Sequence, residues 1–134
     1  MLSHRISEAA AVLGVSDDTL RRWVDSGKVP AHTEEGAARI EGPALAALAR
    51  ELCENGPQGL ADRGGRHAVS ARNRLRGVVT EVRKDTVMAQ VELVCGPYRI
   101  VSLMSSEAAG ELGLEPGVIA VASVKSTNVV VERP

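Results

Sequence analysis

In the second half of the chain, Ser70, Arg72, Lys125 and Ser126 offer hydrogen-bond donors with no acidic residue beside them. Ser105, at the expected start of a short helix, adds a hydroxyl and backbone amides at an anion-favouring place. A set made only of donors suits a fully ionised tetrahedral oxyanion, whose four oxygens all accept and never donate. Hydrogen phosphate fits poorly, because its proton would face another donor. Only size is left to exclude sulfate.

A second constellation lies near the N-terminus. Ser16, Thr19, Arg21 and Arg22 are candidate DNA contacts, the last three exposed on a short helix whose N-cap is Ser16. An exposed polar helix face of this kind fits the major groove of DNA, where Arg reads guanine and other donors clamp phosphates.

The elements that must carry these residues follow from periodicity. Ile6, Ala9, Ala10 and Leu13 recur at helical spacing, and Gly14 falls in the C-cap position. Ser16 opens a second helix, with Asp17 and Asp18 in its positive first turn. Val15, Leu20, Trp23 and Val24 face inward, and Gly27 ends the segment. Two short helices joined by a Gly-Val-Ser turn describe a helix-turn-helix. Gly42-Pro43 starts a third helix striped by Leu45, Leu48 and Leu52, which packs either on the first two or on a second copy. From 53 to 69 periodicity stops and Gly, Pro, Asn and Asp accumulate, as in a flexible linker.

Alternation then dominates. Leu75, Gly77 and Val79 are offset from Arg76, Val78 and Thr80, and Lys84-Asp85 turns the chain. Val87, Ala89, Val91 and Leu93 share one face of the next strand. Cys95-Gly96-Pro97 leads into a strand over 98–103, and Ser105 and Ser106 cap a helix closed by Gly113. After the Pro116-Gly117 turn, 118–125 and 129–131 complete about five strands. Ser106, Arg74 and Arg76 are read as surface.

Two resemblances sharpen this picture. Ser70-Ala71-Arg72-Asn73, Thr86-Val87-Met88-Ala89-Gln90-Val91, Glu111-Leu112-Gly113-Leu114-Glu115-Pro116-Gly117 and Val124-Lys125-Ser126-Thr127-Asn128 resemble, in order, the Mop/TOBE family of small β-domains. That family binds molybdate or tungstate, which implies one of these oxyanions as ligand. It also implies that the Ser-x-Arg and Lys-Ser pieces meet on the anion, often across a subunit boundary. The family commonly has Thr-x-x-Ser at the helix start, where this chain has Ser105 and Ala108, one hydroxyl fewer.

Ile6-Ser7-Glu8-Ala9-Ala10, Leu13-Gly14-Val15-Ser16, Thr19-Leu20-Arg21-Arg22-Trp23 and Gly27-Lys28-Val29-Pro30-Ala31 resemble the MerR/excisionase type of winged helix-turn-helix. That implies a wing after the recognition helix, with Lys28, His32 and Arg39 toward the DNA backbone. Glu34-Glu35 departs from the family's usual basic wing, and acidic residues near phosphate weaken binding.

Composition sets the bounds. The 134 residues make one domain or two small ones, and a net charge of −1 demands neither nucleic acid nor membrane. Phe is absent, with one Trp and one Tyr, so the cores are aliphatic and self-association is expected to supplement them. Cys53 and Cys95 lack metal-ligand spacing. No charged leader and no apolar run of the ~18 residues needed to span a bilayer is present, so a cytoplasmic protein without membrane contact is expected. There is no Gly-x-x-x-x-Gly-Lys loop, nucleophile triad or paired carboxylate set, so no enzyme is expected.

The expected fold is α+β: a small helical winged helix-turn-helix domain over 1–52, a linker over 53–69, and an OB-like five-stranded β-barrel over 70–134. The expected function is a molybdate- or tungstate-responsive regulator that binds double-stranded DNA and is at least a dimer. Intracellular molybdate storage is the first alternative, and an accessory oxyanion-binding part of a transporter the second.

Overall fold

The computed structural model describes residues 2–56 and 70–134, and the chain divides into two compact units, 1–65 and 66–134. Within the linker expected over 53–69, residues 57–69 lie outside the described residues.

The first unit is built on α1 (Ile6–Leu13) and α2 (Asp17–Asp25). Gly14 ends α1 at φ 73°, and its amide and that of Val15 close onto the carbonyls of Ala11 and Ala10. That left-handed position suits glycine, which has no Cβ to clash. The Ser16 hydroxyl accepts from Thr19 N at 3.1 Å, as an N-cap should. Next come β2 (His32–Glu34) and β3 (Ala37–Glu41), a hairpin closed by Glu35 and Gly36 at φ 52° and 77°. Two successive left-handed residues make the tight turn whose twist matches the flanking strands. A short β1 (Ser3–Arg5) pairs with the other side of β3.

Pro43 sits in the first turn of α3 (Gly42–Asn55), which runs three residues past Leu52. Leu48 is buried, and Leu45 and Leu52 pack against the same core as Ile6, Leu20, Val29 and Ile40. The leucine stripe therefore faces its own helix-turn-helix. Trp23 joins that core and is not a free stacking platform. Truncating a fully buried Leu20 or Ile40 to Ala costs on the order of 2–5 kcal/mol in such a core.

The second unit is a curled antiparallel sheet in the order β6-β5-β4-β7. Its long strand β4 (Asn73–Lys84) pairs through its first half with β7 (Ile119–Val124) and through its second half with β5 (Met88–Cys95). The two ladders share only Val78. Thr80 is the extra residue of a bulge, and its hydroxyl donates to the Glu92 carboxylate at 2.8 Å. A bulge bends its strand and increases local twist, which curls the sheet. At Gly77 a Cβ would lie 2.4 Å from Val94 O and 2.6 Å from Cys95 Sγ, so no side chain fits. Strand β6 (Tyr98–Ser105) forms one edge, and α4 (Ser106–Glu111) follows it and buries Ala109. Val79, Val91, Leu93 and Cys95 form the buried core, and burial pushes the Cys95 thiol up.

Two expectations are corrected. Val87 is 68 % exposed and precedes β5, because the Asp85 carboxylate accepts from both Val87 N and Met88 N and prolongs the turn. Among the described residues the sheet has four strands, not five: 129–131 follow a 3-10 turn (Ser126–Asn128) and belong to no strand. Val130 and Val131 are about nine-tenths exposed, since three successive valines do not alternate and meet no strand edge within the one chain. Among the described residues no helix is long and apolar enough to cross a membrane.

Candidate anion site and DNA-reading face

The register of β4 against β7 decides which donors meet. Asn73 pairs with Val124, so Arg72, just before β4, lies beside Lys125, just after β7. Ser70 and Ser126 flank the same end of the ladder, and all four residues are exposed. Asn73 Nδ2 donates to Val124 O at 3.0 Å and pins the two chain ends together. Sequence reasoning passed over Asn73, although a polar amide at the first position of a strand was the signal. Lys125 caps the 3-10 turn, where Asn128 N donates to its carbonyl at 2.9 Å. Among the described residues neither Arg72 nor Lys125 has a recorded ion pair or hydrogen bond.

Ser105 does not join them. It ends β6 opposite Met88, beside the far end of β4 where Lys84 pairs with Ala89. From Asn73 to Lys84 the strand runs about 35 Å of contour. The Ser105 hydroxyl accepts from Ala108 N at 3.1 Å, which leaves its proton to donate. Helix α4 offers few free amides, because Ser106 N donates to Val87 O at 2.8 Å and Ala108 N is taken by the cap. Arg74 and Arg76 lie opposite Ser123 and Val121 on the β4–β7 ladder.

In the first unit, α2 presents Arg21 and Arg22 exposed, whereas Thr19, expected to be exposed, is half-buried beside the cap. Arg21 has no recorded partner among the described residues. Arg22 Nη2 donates to Thr19 Oγ1 at 3.3 Å, and Ser16 Oγ donates to the same oxygen at 2.9 Å. The basic residues expected on the wing are engaged at home. Lys28 Nζ stands 4.6 Å from the Trp23 ring centroid, a cation–π distance. Arg39 is half-buried, with Nε and Nη2 donating to Ser3 Oγ and O at 2.8 and 2.9 Å, so it fastens β1 to β3. Glu34 stands 3.6 Å from Arg39 and 3.5 Å from His32. Among the described residues no group of three His, Cys, Asp or Glu could hold a metal ion.

Comparison with known proteins agrees with both units. Residues 69–131 match the TOBE domain model. Over 65 residues the chain is 40 % identical to molybdenum-pterin-binding protein 2 of Clostridium pasteurianum, covering 48 % of this chain and 96 % of that protein. The chain belongs to the TOBE-domain family. Molybdenum-pterin-binding protein 1 of the same organism is 37 % identical over 65 residues, again 48 % of this chain and 96 % of that protein. A solved molybdate-binding protein from Sporomusa ovata is 31 % identical, covering 50 % of this chain and all of that one, with a TM-score of 0.48. Ahead of the TOBE domain, residues 5–53 match a helix-turn-helix domain model.

Proposed function

We propose that the chain is a cytoplasmic transcription regulator that binds molybdate or tungstate through its TOBE domain and double-stranded DNA through a MerR-like helix-turn-helix. The observation that carries the proposal is the meeting of Arg72 and Lys125 at one end of the β4–β7 ladder, with no acidic partner for either among the described residues. Ser70 and Ser126 supply hydroxyl donors at the same end. The names of the relatives point the same way: one binds molybdenum-pterin and another molybdate. Two exposed arginines on a capped second helix support the DNA half.

The working unit is at least a dimer. Ser105 lies at the opposite end of the sheet from the other donors, so a second copy is needed to bring it to the anion. The exposed Val129, Val130, Val131, Ile119 and Leu103 are surface for that copy to cover. Anion binding then favours one arrangement of copies and one spacing of the DNA-reading helices.

Storage of molybdate remains as a second reading because Glu34 occupies two of the wing's basic groups, His32 and Arg39. Calorimetric titration with molybdate, tungstate, sulfate and phosphate, followed by retention of upstream DNA with and without molybdate, tests both. Selective binding of the first two anions with anion-dependent DNA retention is expected. Selective anion binding with no sequence-selective retention would leave storage as the better account. Equal response to all four anions would reduce the site to a generic basic patch.

A further inference from the structure

The geometry points to Thr19 as a positioning residue that sets the direction of Arg22 on the recognition helix. This rests on the DNA-binding reading above and assigns a specificity-determining part within it. Ser16, Thr19 and Arg22 stand three residues apart and so share one face of α2. They form a chain of hydrogen bonds. Ser16 Oγ accepts from Thr19 N at 3.1 Å and donates to Thr19 Oγ1 at 2.9 Å. Thr19 Oγ1 also accepts from Arg22 Nη2 at 3.3 Å. A hydroxyl oxygen has two acceptor positions, and both are filled inside the helix.

The consequence is a difference between two neighbouring arginines. Arg21 has no recorded partner among the described residues and keeps its rotamer freedom. Arg22 is tied at its guanidinium to an oxygen that the helix cap already holds. A long side chain that is ordered before binding gives up less entropy when it docks. An oriented guanidinium also keeps its donors aimed, as bidentate reading of a guanine edge requires. Arg22 is therefore the base-discriminating arginine of the pair. The cap that starts the helix and the group that aims its reader are one unit, so Ser16 acts on Arg22 through Thr19.

The test uses the full chain. Wild type first selects its preferred sequence from a library of random duplexes. Binding to that duplex and to single-base-pair changes is then measured for Arg22→Ala, Thr19→Val, Thr19→Ser and the double variant Thr19→Val/Arg22→Ala. Trp23 emission checks the fold. Thr19→Ala, which removes the same hydroxyl and raises helix propensity, serves if valine disturbs it. Thr19→Val is expected to lose roughly three- to ten-fold in discrimination at the base pairs that Arg22→Ala affects. Thr19→Ser should restore it, and Thr19→Val should add nothing once Arg22 is gone. Additive losses would make Thr19 a contact in its own right and overturn the proposal, as would unchanged discrimination in Thr19→Val. A wild type that selects no sequence would remove the DNA reading itself, an outcome distinct from both.

Discussion

The two units treat their own surfaces differently. In the first, the basic groups nearest the wing are spent internally, Lys28 on Trp23 and Arg39 on Ser3. Its large apolar side chains are nearly all covered, with only Leu2 and Val12 strongly exposed among the described residues. Among the described residues the second unit leaves Arg72 and Lys125 unpaired and twelve large apolar residues exposed. Small isolated cores are marginal, so such a surface on one unit of two is informative. The first unit covers most of its apolar surface within one copy, whereas the second leaves the strands exposed on which the proposed second copy would pack.

Gly77→Ala breaks the comparison most forcefully. The added methyl would press on Val94 O and Cys95 Sγ where β4 crosses β5, and backbone there has nowhere to go. Overpacking of this kind costs up to about 3 kcal/mol. Thermal unfolding followed by far-UV dichroism should show the β-unit melting early. Emission of Trp23, the only tryptophan and a member of the first unit's core, should report an unchanged transition there. A joint shift of both transitions would mean the units are energetically one.

Next in size, Arg72→Ala and Lys125→Ala remove one cation each from the proposed anion site, where neither has an acidic partner among the described residues. Each should weaken molybdate by about 2 kcal/mol, as for a charge-assisted hydrogen bond. The stabilisation that bound ligand confers on the native state should fall in step. Isothermal titration with unaltered melting in the absence of anion would locate the loss in binding, not folding.

Much of this was legible because it rests on local chemistry. Gly14 and Ser16 punctuate two helices by rules that need no tertiary partner, and the structure has both at their caps. The Pro116-Gly117 turn is likewise local: Gly117 takes φ 99° and Val118 N reaches Glu115 O. What sequence missed depends on register and on partners. Valines at 129–131 read as a strand by composition, yet a strand exists only where an edge receives it. Val87 fits the alternation of β5 but lies in the turn, because Asp85 captures its amide. The donors were nameable from type and spacing, whereas their separation, with Ser105 at the far end of the sheet, needed the pairing of Lys84 with Ala89 and Met88 with Ser105. Likewise, Arg39 looked like a free wing cation until its partner 36 residues away was visible.

The smallest expected effect concerns acid. Amides of Met88 and Val87 hold the Asp85 carboxyl below its ordinary value, and the Thr80 hydroxyl with the Arg99 guanidinium does the same for Glu92. Both carboxylates belong to the second unit. A depressed pKa in the folded state means the unfolded chain takes up protons first as pH falls. The stabilisation is thus complete above the ordinary carboxylate range of roughly pH 4 and is lost as pH drops through the lower folded values. Asp85 is exposed and Glu92 half-buried at the sheet surface, so screening keeps the effect small. Melting of the β-unit should fall modestly between about pH 5 and pH 3, and less so in high salt. Asp85→Asn separates charge from geometry. One oxygen, Oδ1, accepts both amides at 2.8 Å, and an asparagine carbonyl can do the same without titrating. The variant should keep the turn and flatten the acid slope of the β-unit. An unchanged slope would assign the acid sensitivity to Glu92 alone, which Glu92→Gln then measures directly.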